Sequence, residues 1–161
     1  MKTNLRPVLF VYGDGGHLTQ ARRLFAGMNG KRPFVFVTST ALSLDKRYPQ
    51  YHVPELRRKY RSSFEALRSI AVFAHSVVAM IMIVFRHKPS GMISTGPGIA
   101  IVPALMMRIV GKPVVFLDSW SKVYYPSIAS RIVYRLATLF FIQHREIGKF
   151  YPRALYRGRL G

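Results

Sequence analysis

Two short glycine-rich segments, residues 13–17 and 95–98, have the composition best suited to binding a phosphate. Each follows a short apolar run and precedes a helical pattern. Glycine lets backbone N–H groups approach a phosphate closely, and the first turn of a helix carries a partial positive charge. Two such segments predict a phosphate or pyrophosphate site, the alternative being two ordinary tight turns. The candidate binding residues in them are Gly13, Gly15, Gly16, Thr95, Gly96 and Gly98.

The first segment lacks the signatures of the common nucleotide sites. In the pattern Gly13-x-Gly15-x-x-Leu18, a leucine stands where a dinucleotide-binding fingerprint has its third glycine. No acidic residue follows the next apolar run to bind a ribose, and the Gly-Lys-Ser/Thr of a P-loop is missing. NAD and ATP sites are therefore disfavoured, and we expect no cofactor.

Two residues beside these segments have side chains that could take up a proton. His17 follows two glycines at a predicted strand-to-helix corner, where an imidazole could act as a general base or hydrogen-bond a phosphate. Asp118 ends a later apolar run and could accept a proton from an attacking hydroxyl. The alternatives are a capping or core histidine and an aspartate that caps its turn through Ser119. Ser119 and Lys122 are further candidate contacts to the ligand, Lys122 as a cation facing an anion.

The charge balance points to an anionic partner. Among 161 residues, 25 are Lys or Arg and 6 are Asp or Glu, giving a formal net charge of +19. Nucleic acid, a phospholipid surface and a phosphorylated substrate all fit this excess. Half of the residues are apolar, which excludes a disordered basic tail. Because there is no cysteine, a disulfide framework, a zinc ribbon and a thiol nucleophile are excluded, and the few acidic residues disfavour a metal site.

Short apolar runs alternate with helical patterns along the chain. This alternation predicts a doubly wound, Rossmann-like α/β fold whose parallel sheet is covered on both faces. Ligands of such folds bind at the carboxyl ends of the strands, where both glycine segments and Asp118 are expected. The predicted strands are 7–12, 33–38, 51–54, 91–94, 113–118 and 139–142, and the predicted helices are 18–28, 40–46 (short), 64–85, 99–110, 128–137 and 145–151.

The longest uncharged run, residues 69–85, indicates contact with a membrane. Seventeen residues of helix span about 26 Å, against about 30 Å for a hydrocarbon core. A helix lying in the membrane interface, a buried core helix and a short transmembrane span remain alternatives. Basic flanks favour an anionic leaflet, so we expect a membrane-contact region over residues 57–88. Its candidate contacts are Arg57, Arg58, Lys59, Arg61, Arg86 and Lys88.

Five segments, in order along nearly the whole chain, resemble one glycosyltransferase family. It includes the bacterial exopolysaccharide PssD-like proteins and the acceptor-side subunit of the eukaryotic two-subunit GlcNAc transferase acting on dolichol pyrophosphate. Residues 11–20 (VYGDGGHLTQ) resemble its opening Gly-Gly-His loop, and residues 93–100 (ISTGPGIA) its second glycine loop. Residues 114–123 resemble its Glu-Ser-x-x-Arg strand end, and the pattern continues at 126–134 and 141–144.

The resemblance implies a specific architecture and activity. Residues 1–161 would form one domain, the acceptor-binding half of a B-fold glycosyltransferase, akin to the N-terminal half of MurG. The donor-binding half would be a separate chain, without which this one is expected to be inactive. The pair would be an inverting hexosyl- or hexuronosyltransferase that adds a sugar from a UDP-sugar to a polyprenyl-pyrophosphate-linked saccharide in exopolysaccharide or capsule biosynthesis. Its place would be the cytoplasmic face of the inner membrane, held peripherally or monotopically.

Three residues depart from the family pattern. Asp14 stands where Ser or Thr is common, Asp118 replaces the commoner Glu, and Lys122 the commoner Arg. The N-terminal membrane helix of the eukaryotic subunit is missing, so anchoring is expected from residues 57–88. A non-catalytic membrane scaffold that recruits a separate transferase remains an alternative. A nucleic-acid-binding module is not expected, because the aromatic residues form no stacking array beside the basic ones.

Overall fold

A computed structural model describes residues 5–28, 32–55 and 63–160, and it contains a seven-stranded, all-parallel sheet. The strand order is β3-β2-β1-β4-β5-β6-β7. The strands are β1 (Val8–Tyr12), β2 (Phe34–Thr38), β3 (Gln50–His52), β4 (Gly91–Ser94), β5 (Val114–Leu117), β6 (Leu139–Ile142) and β7 (Leu155–Tyr156). The helices are α1 (Gly16–Gly27), α2 (Ser63–His87), α3 (Ile101–Ile109) and α4 (Ile128–Leu136), with 3-10 helices at Gly98–Ala100 and Arg145–Phe150.

Both faces of the sheet are covered, which explains why its strands are nearly continuous apolar runs. In β1, Phe10 and Tyr12 pack with α1 and the phenylalanines of β2 in a cluster of edge-to-face aromatic rings. The alternate residues Leu9 and Val11 belong to a second cluster with side chains of α2, α3 and α4. The sheet therefore lies between α1 on one face and α2, α3 and α4 on the other, and the predicted doubly wound fold is confirmed.

Helix α2 contributes little of its surface to this core. Met80 and Ile83 are buried, whereas Ile70, Val78 and Phe85 are largely exposed. The segment Ser69–His87 is long and apolar enough to cross a membrane by length and composition, with a mean hydropathy of 2.0, and 17% of it is buried. This exposure argues against the alternative of a buried core helix.

The short helix predicted over residues 40–46 is wrong. Residues 39–49 form bends and turns instead. Side chains compete with helix formation there, because Thr38 Oγ1 accepts the N–H of Thr40 and Thr40 Oγ1 accepts that of Leu42. Asp45 similarly accepts the N–H and the guanidinium of Arg47. The other predicted helices and strands are present within a few residues, except that residues 145–150 form a 3-10 helix, and the sequence did not predict β7.

Candidate functional site

Three segments meet at the carboxyl edge of the sheet because β1, β4 and β5 are neighbours. We call residues 13–17, 95–98 and 118–122 the loop cluster. A Cβ atom built on Gly13 would lie 2.9 Å from the Cβ of Pro97, closer than real Cβ atoms approach. A Cβ on Gly96 would lie 3.3 Å from the backbone nitrogen of Ser119 and 3.4 Å from Cε1 of His17. The three predicted segments are therefore in direct contact, and glycine is what allows this spacing.

The residue at the N-cap of α1 is a glycine, which has no side chain to cap the N–H groups of the first turn. Gly15 is the N-cap, with φ 58° and ψ −123°, a conformation that glycine adopts readily. Gly15 and Gly16 are exposed, so the end of a twelve-residue helix is open to an anion. Asp14 Oδ1 accepts the N–H of Gly15 at 2.8 Å. An anion that bound this N–H would have to displace the carboxylate, so Asp14 competes with phosphate for this donor.

His17 joins the first two segments through a reciprocal pair of hydrogen bonds. Its Nδ1 lies 2.6 Å from the carbonyl oxygen of Thr95, and Thr95 Oγ1 donates to the carbonyl oxygen of His17 at 3.0 Å. A carbonyl oxygen accepts and cannot donate, so Nδ1 of His17 must carry the proton of this bond. In the neutral ring, Nε2 is then an acceptor that can take up a proton. Thr95 and Gly96 are buried beside it, whereas Gly98 begins the 3-10 helix with open space around its Cα.

Asp118 lies behind the site, with 1% of its surface exposed. Its Oδ1 accepts the N–H of Ser119 at 2.9 Å and the hydroxyl of Ser130 at 2.6 Å. Its Oδ2 has no hydrogen-bond partner among the described residues. Burial raises the pKa of Asp118. The hydrogen bonds from Ser130 and Ser119 lower it in part, as do the nearby charges of Lys122 and His17. A substrate hydroxyl could reach this carboxylate only after its neighbours moved, so direct proton transfer to Asp118 stays a prediction.

Comparisons with known proteins place the chain in a family. The family model described as oligosaccharide biosynthesis protein Alg14 like matches residues 8–160. The chain belongs to the Alg14-like family. The mouse protein named UDP-N-acetylglucosamine transferase subunit ALG14 is 26% identical over 178 residues, covering 95% of this chain and 82% of the mouse protein. The human protein of the same name is 24% identical over 177 residues, with the same coverage.

Solved structures support the fold of this Alg14-like chain. MurG from Acinetobacter baumannii superposes with a TM-score of 0.65 at 13% identity, over 86% of this chain and 41% of MurG. UDP-N-acetylglucosamine 2-epimerase from Rickettsia bellii gives a TM-score of 0.69 at 8% identity, over 98% of this chain and 46% of the epimerase. The chain thus spans less than half the length of either protein. The predicted resemblance to this transferase family and to part of MurG is confirmed.

Several residues that hold the loop cluster of the Alg14-like chain were not predicted from its sequence. The Trp120 carbonyl accepts Nε2–H of His144 at 2.6 Å, and Arg23 lies over the Trp120 ring at 5.2 Å. Nε1 of Trp120 would lie 3.3 Å from a Cβ on Gly16, so the indole borders the first turn of α1. Gln143 donates to the carbonyl oxygen of Asp118 at 2.8 Å. The Gln-His pair lies within the family-like pattern at 141–144, but nothing local in the sequence signals these long-range contacts.

The remaining predicted ligand contacts lie beside Asp118. Ser119 is buried, and its hydroxyl shares a hydrogen bond with Ser121. The Lys122 side chain is partly exposed, and its backbone N–H donates to the Ser119 carbonyl. Among the described residues, no group of three His, Asp or Glu side chains could hold a metal ion.

Two of the six predicted membrane contacts, Arg86 and Lys88, can be placed in the structure of the Alg14-like chain. Arg86 and Lys88 are exposed where α2 ends, shortly before β4 begins, and therefore near the amino edge of the sheet. The four basic residues predicted before α2, Arg57, Arg58, Lys59 and Arg61, lie outside the described residues.

Proposed function

We propose that this chain is the acceptor-binding subunit of a two-chain inverting glycosyltransferase. Its acceptor is a polyprenyl-pyrophosphate-linked saccharide, and a separate donor-binding chain supplies a UDP-sugar. The observation that carries the proposal is the contact of two glycine segments around His17, whose Nδ1–H is bonded to the Thr95 carbonyl so that Nε2 is the nitrogen able to accept a proton, in a chain of the Alg14-like family. Exopolysaccharide or capsule biosynthesis on the cytoplasmic face of the inner membrane is the proposed setting.

The acceptor pyrophosphate would bind to the loop cluster. The exposed first turn of α1 offers backbone N–H groups and the positive end of a helix dipole. Lys122 adds a partly exposed cation on the neighbouring segment. This arrangement uses glycine backbone for close approach and a positive field for binding, which fits the excess of basic residues.

The proposed chemistry moves one proton and exchanges one bond. The acceptor hydroxyl oxygen attacks the anomeric carbon of the sugar from the face opposite the nucleotide. A new glycosidic C–O bond forms while the bond from that carbon to the β-phosphate oxygen of UDP breaks, and UDP leaves with the electron pair. Nε2 of His17 takes the hydroxyl proton, and Nδ1–H stays bonded to Thr95, which fixes the plane of the ring.

A membrane scaffold without a catalytic residue is the second candidate. The exposure of α2 favours it, because 17% burial leaves a long apolar face free to hold the protein on a bilayer and recruit a transferase. Both candidates require membrane association and a partner chain. They differ in whether His17 takes part in the reaction.

Substitution of His17 in the reconstituted two-chain enzyme tests the proposal. In His17→Asn, the amide nitrogen takes the place of Nδ1 and can still donate to Thr95, but no basic nitrogen remains. We expect kcat to fall by about 10²–10⁴, the usual effect of losing a general base, with the acceptor KM nearly unchanged. His17→Ala also loses the positioning bond and should raise the acceptor KM as well.

The outcomes separate the two candidates. Near-parental kcat in His17→Asn would reject the histidine as base and favour the scaffold. The chain assayed without a partner is expected to transfer no sugar, because the proposal assigns binding of the UDP-sugar to a separate chain. Robust transfer by the single chain would refute the two-chain proposal.

A further inference from the structure

An apolar groove opens beside the loop cluster on the α2–α3–α4 side of the sheet. Its volume is about 220 Å³, and its walls include Phe73 of α2, Ile101 at the start of α3, Ile132 of α4 and Gly98. We propose that this groove binds the first isoprenoid units of the acceptor lipid, next to its pyrophosphate. The inference rests on the proposed function, and it assigns a subsite for the part of the acceptor that does not react.

The lining of the groove selects a hydrocarbon. Among the described residues that line the groove, Ser76 alone has a polar side chain, and its hydroxyl donates to the carbonyl of Val72 at 2.8 Å within α2. The one donor of this hydroxyl is thus used within the helix, and only its oxygen remains to accept a hydrogen bond. A polar ligand would lose its hydrogen bonds to water and find few partners here, whereas a hydrocarbon gains by leaving water.

The position of the groove links it to the phosphate site. Gly98 belongs both to the groove and to the second glycine segment. Gly96, two residues earlier, lies beside the His17 ring, and two Cα–Cα steps span at most about 7.6 Å. A ligand that joins a phosphate directly to a hydrocarbon would therefore reach both features. A polyprenyl pyrophosphate has this connectivity.

The far side of the groove provides an exit toward a membrane. Phe73 lines the groove and is also 43% exposed, on the same helix as the exposed Ile70. A long chain could leave past Phe73 onto the apolar surface of α2 and enter a bilayer there. A partner helix is a poor occupant, because a helix with its side chains is about 10–12 Å wide and the groove is small.

Calorimetric titration of the full chain tests the assignment with defined probes. We expect geranylgeranyl pyrophosphate to bind at least tenfold more tightly than inorganic pyrophosphate. Ile132→Trp fills the groove, and Ile128→Trp is the matched control, since Ile128 lies one turn earlier on α4, is 79% exposed and does not line the groove. Each CH₂ group withdrawn from water contributes about fourfold in affinity, so losing two or three corresponds to a roughly 15- to 60-fold higher Kd.

The expected pattern is specific to the groove. Ile132→Trp should weaken the binding of geranylgeranyl pyrophosphate and leave the binding of inorganic pyrophosphate unchanged. Ile128→Trp should change the binding of neither probe. Phe73→Ala should also weaken the binding of geranylgeranyl pyrophosphate. Equal affinity for both probes, or equal losses in the two tryptophan variants, would overturn the groove. Equal binding of a straight-chain lysophosphatidate with the same sensitivity to Ile132→Trp would overturn the isoprenoid assignment. Intact prenyl binding with parental transfer in His17→Asn would contradict the proposed catalysis and leave the groove standing.

Discussion

Replacement of Gly96 by alanine should disturb the loop cluster more than an equivalent change elsewhere. Gly96 has φ +90°, and so any side chain there strains the backbone. Gly111, which follows α3, has φ +68° but nothing within 4 Å of a built Cβ. Both alanine variants therefore share a conformational penalty, and only Gly96→Ala adds crowding at the site.

The magnitudes follow from these two contributions. A positive φ costs a non-glycine residue about 1–2 kcal/mol, which is the expected loss of stability in Gly111→Ala. At Gly96 the new Cβ would lie 3.3 Å from both the Leu117 carbonyl oxygen and the Ser119 nitrogen, and backbone atoms cannot move aside as a flexible side chain would. Overpacking of this kind adds about 1–3 kcal/mol, for a total loss of about 2–5 kcal/mol.

Urea unfolding of the purified chain measures this difference. Trp120, the single tryptophan, borders the site and reports unfolding by its fluorescence. In the two-chain enzyme, Gly96→Ala should also raise the acceptor KM, because the new methyl group lies 3.4 Å from Cε1 of His17, whereas Gly111→Ala should not. Equal stability of the two variants would refute the argument that the site depends on close backbone approach.

Three further predictions concern charge. Burial raises the folded-state pKa of Asp118 above its usual value of about 3.8, so ionisation of this carboxyl destabilises the fold as the pH rises above that value. Asp118→Asn should therefore be more stable than the parent near neutral pH, by about 1.4 kcal/mol for each tenfold difference in proton affinity between the folded and unfolded chains. Urea unfolding should show this advantage shrinking toward pH 4. Asp14→Ser removes the carboxylate that competes for the Gly15 N–H, and calorimetry should show tighter pyrophosphate binding. Replacing the four basic residues before α2 by glutamine should weaken sedimentation with anionic vesicles at moderate salt, since each contributes about 1 kcal/mol near such a surface, and unchanged sedimentation would contradict the surface-electrostatic argument.

The alternation of apolar runs and helical patterns was enough to predict most of the fold. Six of the seven strands are present close to their predicted bounds, because most of them are covered on both faces and must be apolar throughout. Residues 40–46 misled the prediction since side-chain hydrogen bonds to the backbone, as from Thr38, override a weak helical pattern. The two-residue β7 is too short to leave a periodic signal.

The sequence predicted the glycine segments of the site but only some of the side chains that form it. The topology of parallel sheets predicted that 13–17, 95–98 and Asp118 lie at one edge of the sheet. Their direct contact was not predicted, because it depends on β1, β4 and β5 being neighbours in the strand order. The depth at which Asp118 lies did not, because its burial depends on Ser130 and Gln143 from elements that follow it in the chain. The tautomer of His17 could not be predicted either, because it depends on the position of the Thr95 carbonyl oxygen, 78 residues away in sequence.

The reciprocal bonds between His17 and Thr95 have a consequence for how the protein folds. Their partners are separated by 78 residues, so neither half of the chain can form the site by itself. The site comes into being only once β1 has paired with β4 across the whole β2–β3–α2 excursion, a non-local event of the kind that slows folding. An acceptor that binds there has no affinity for earlier species along the folding route. Binding of the proposed acceptor would therefore stabilise the native chain by mass action, to an extent set by the concentration of acceptor around the newly made subunit.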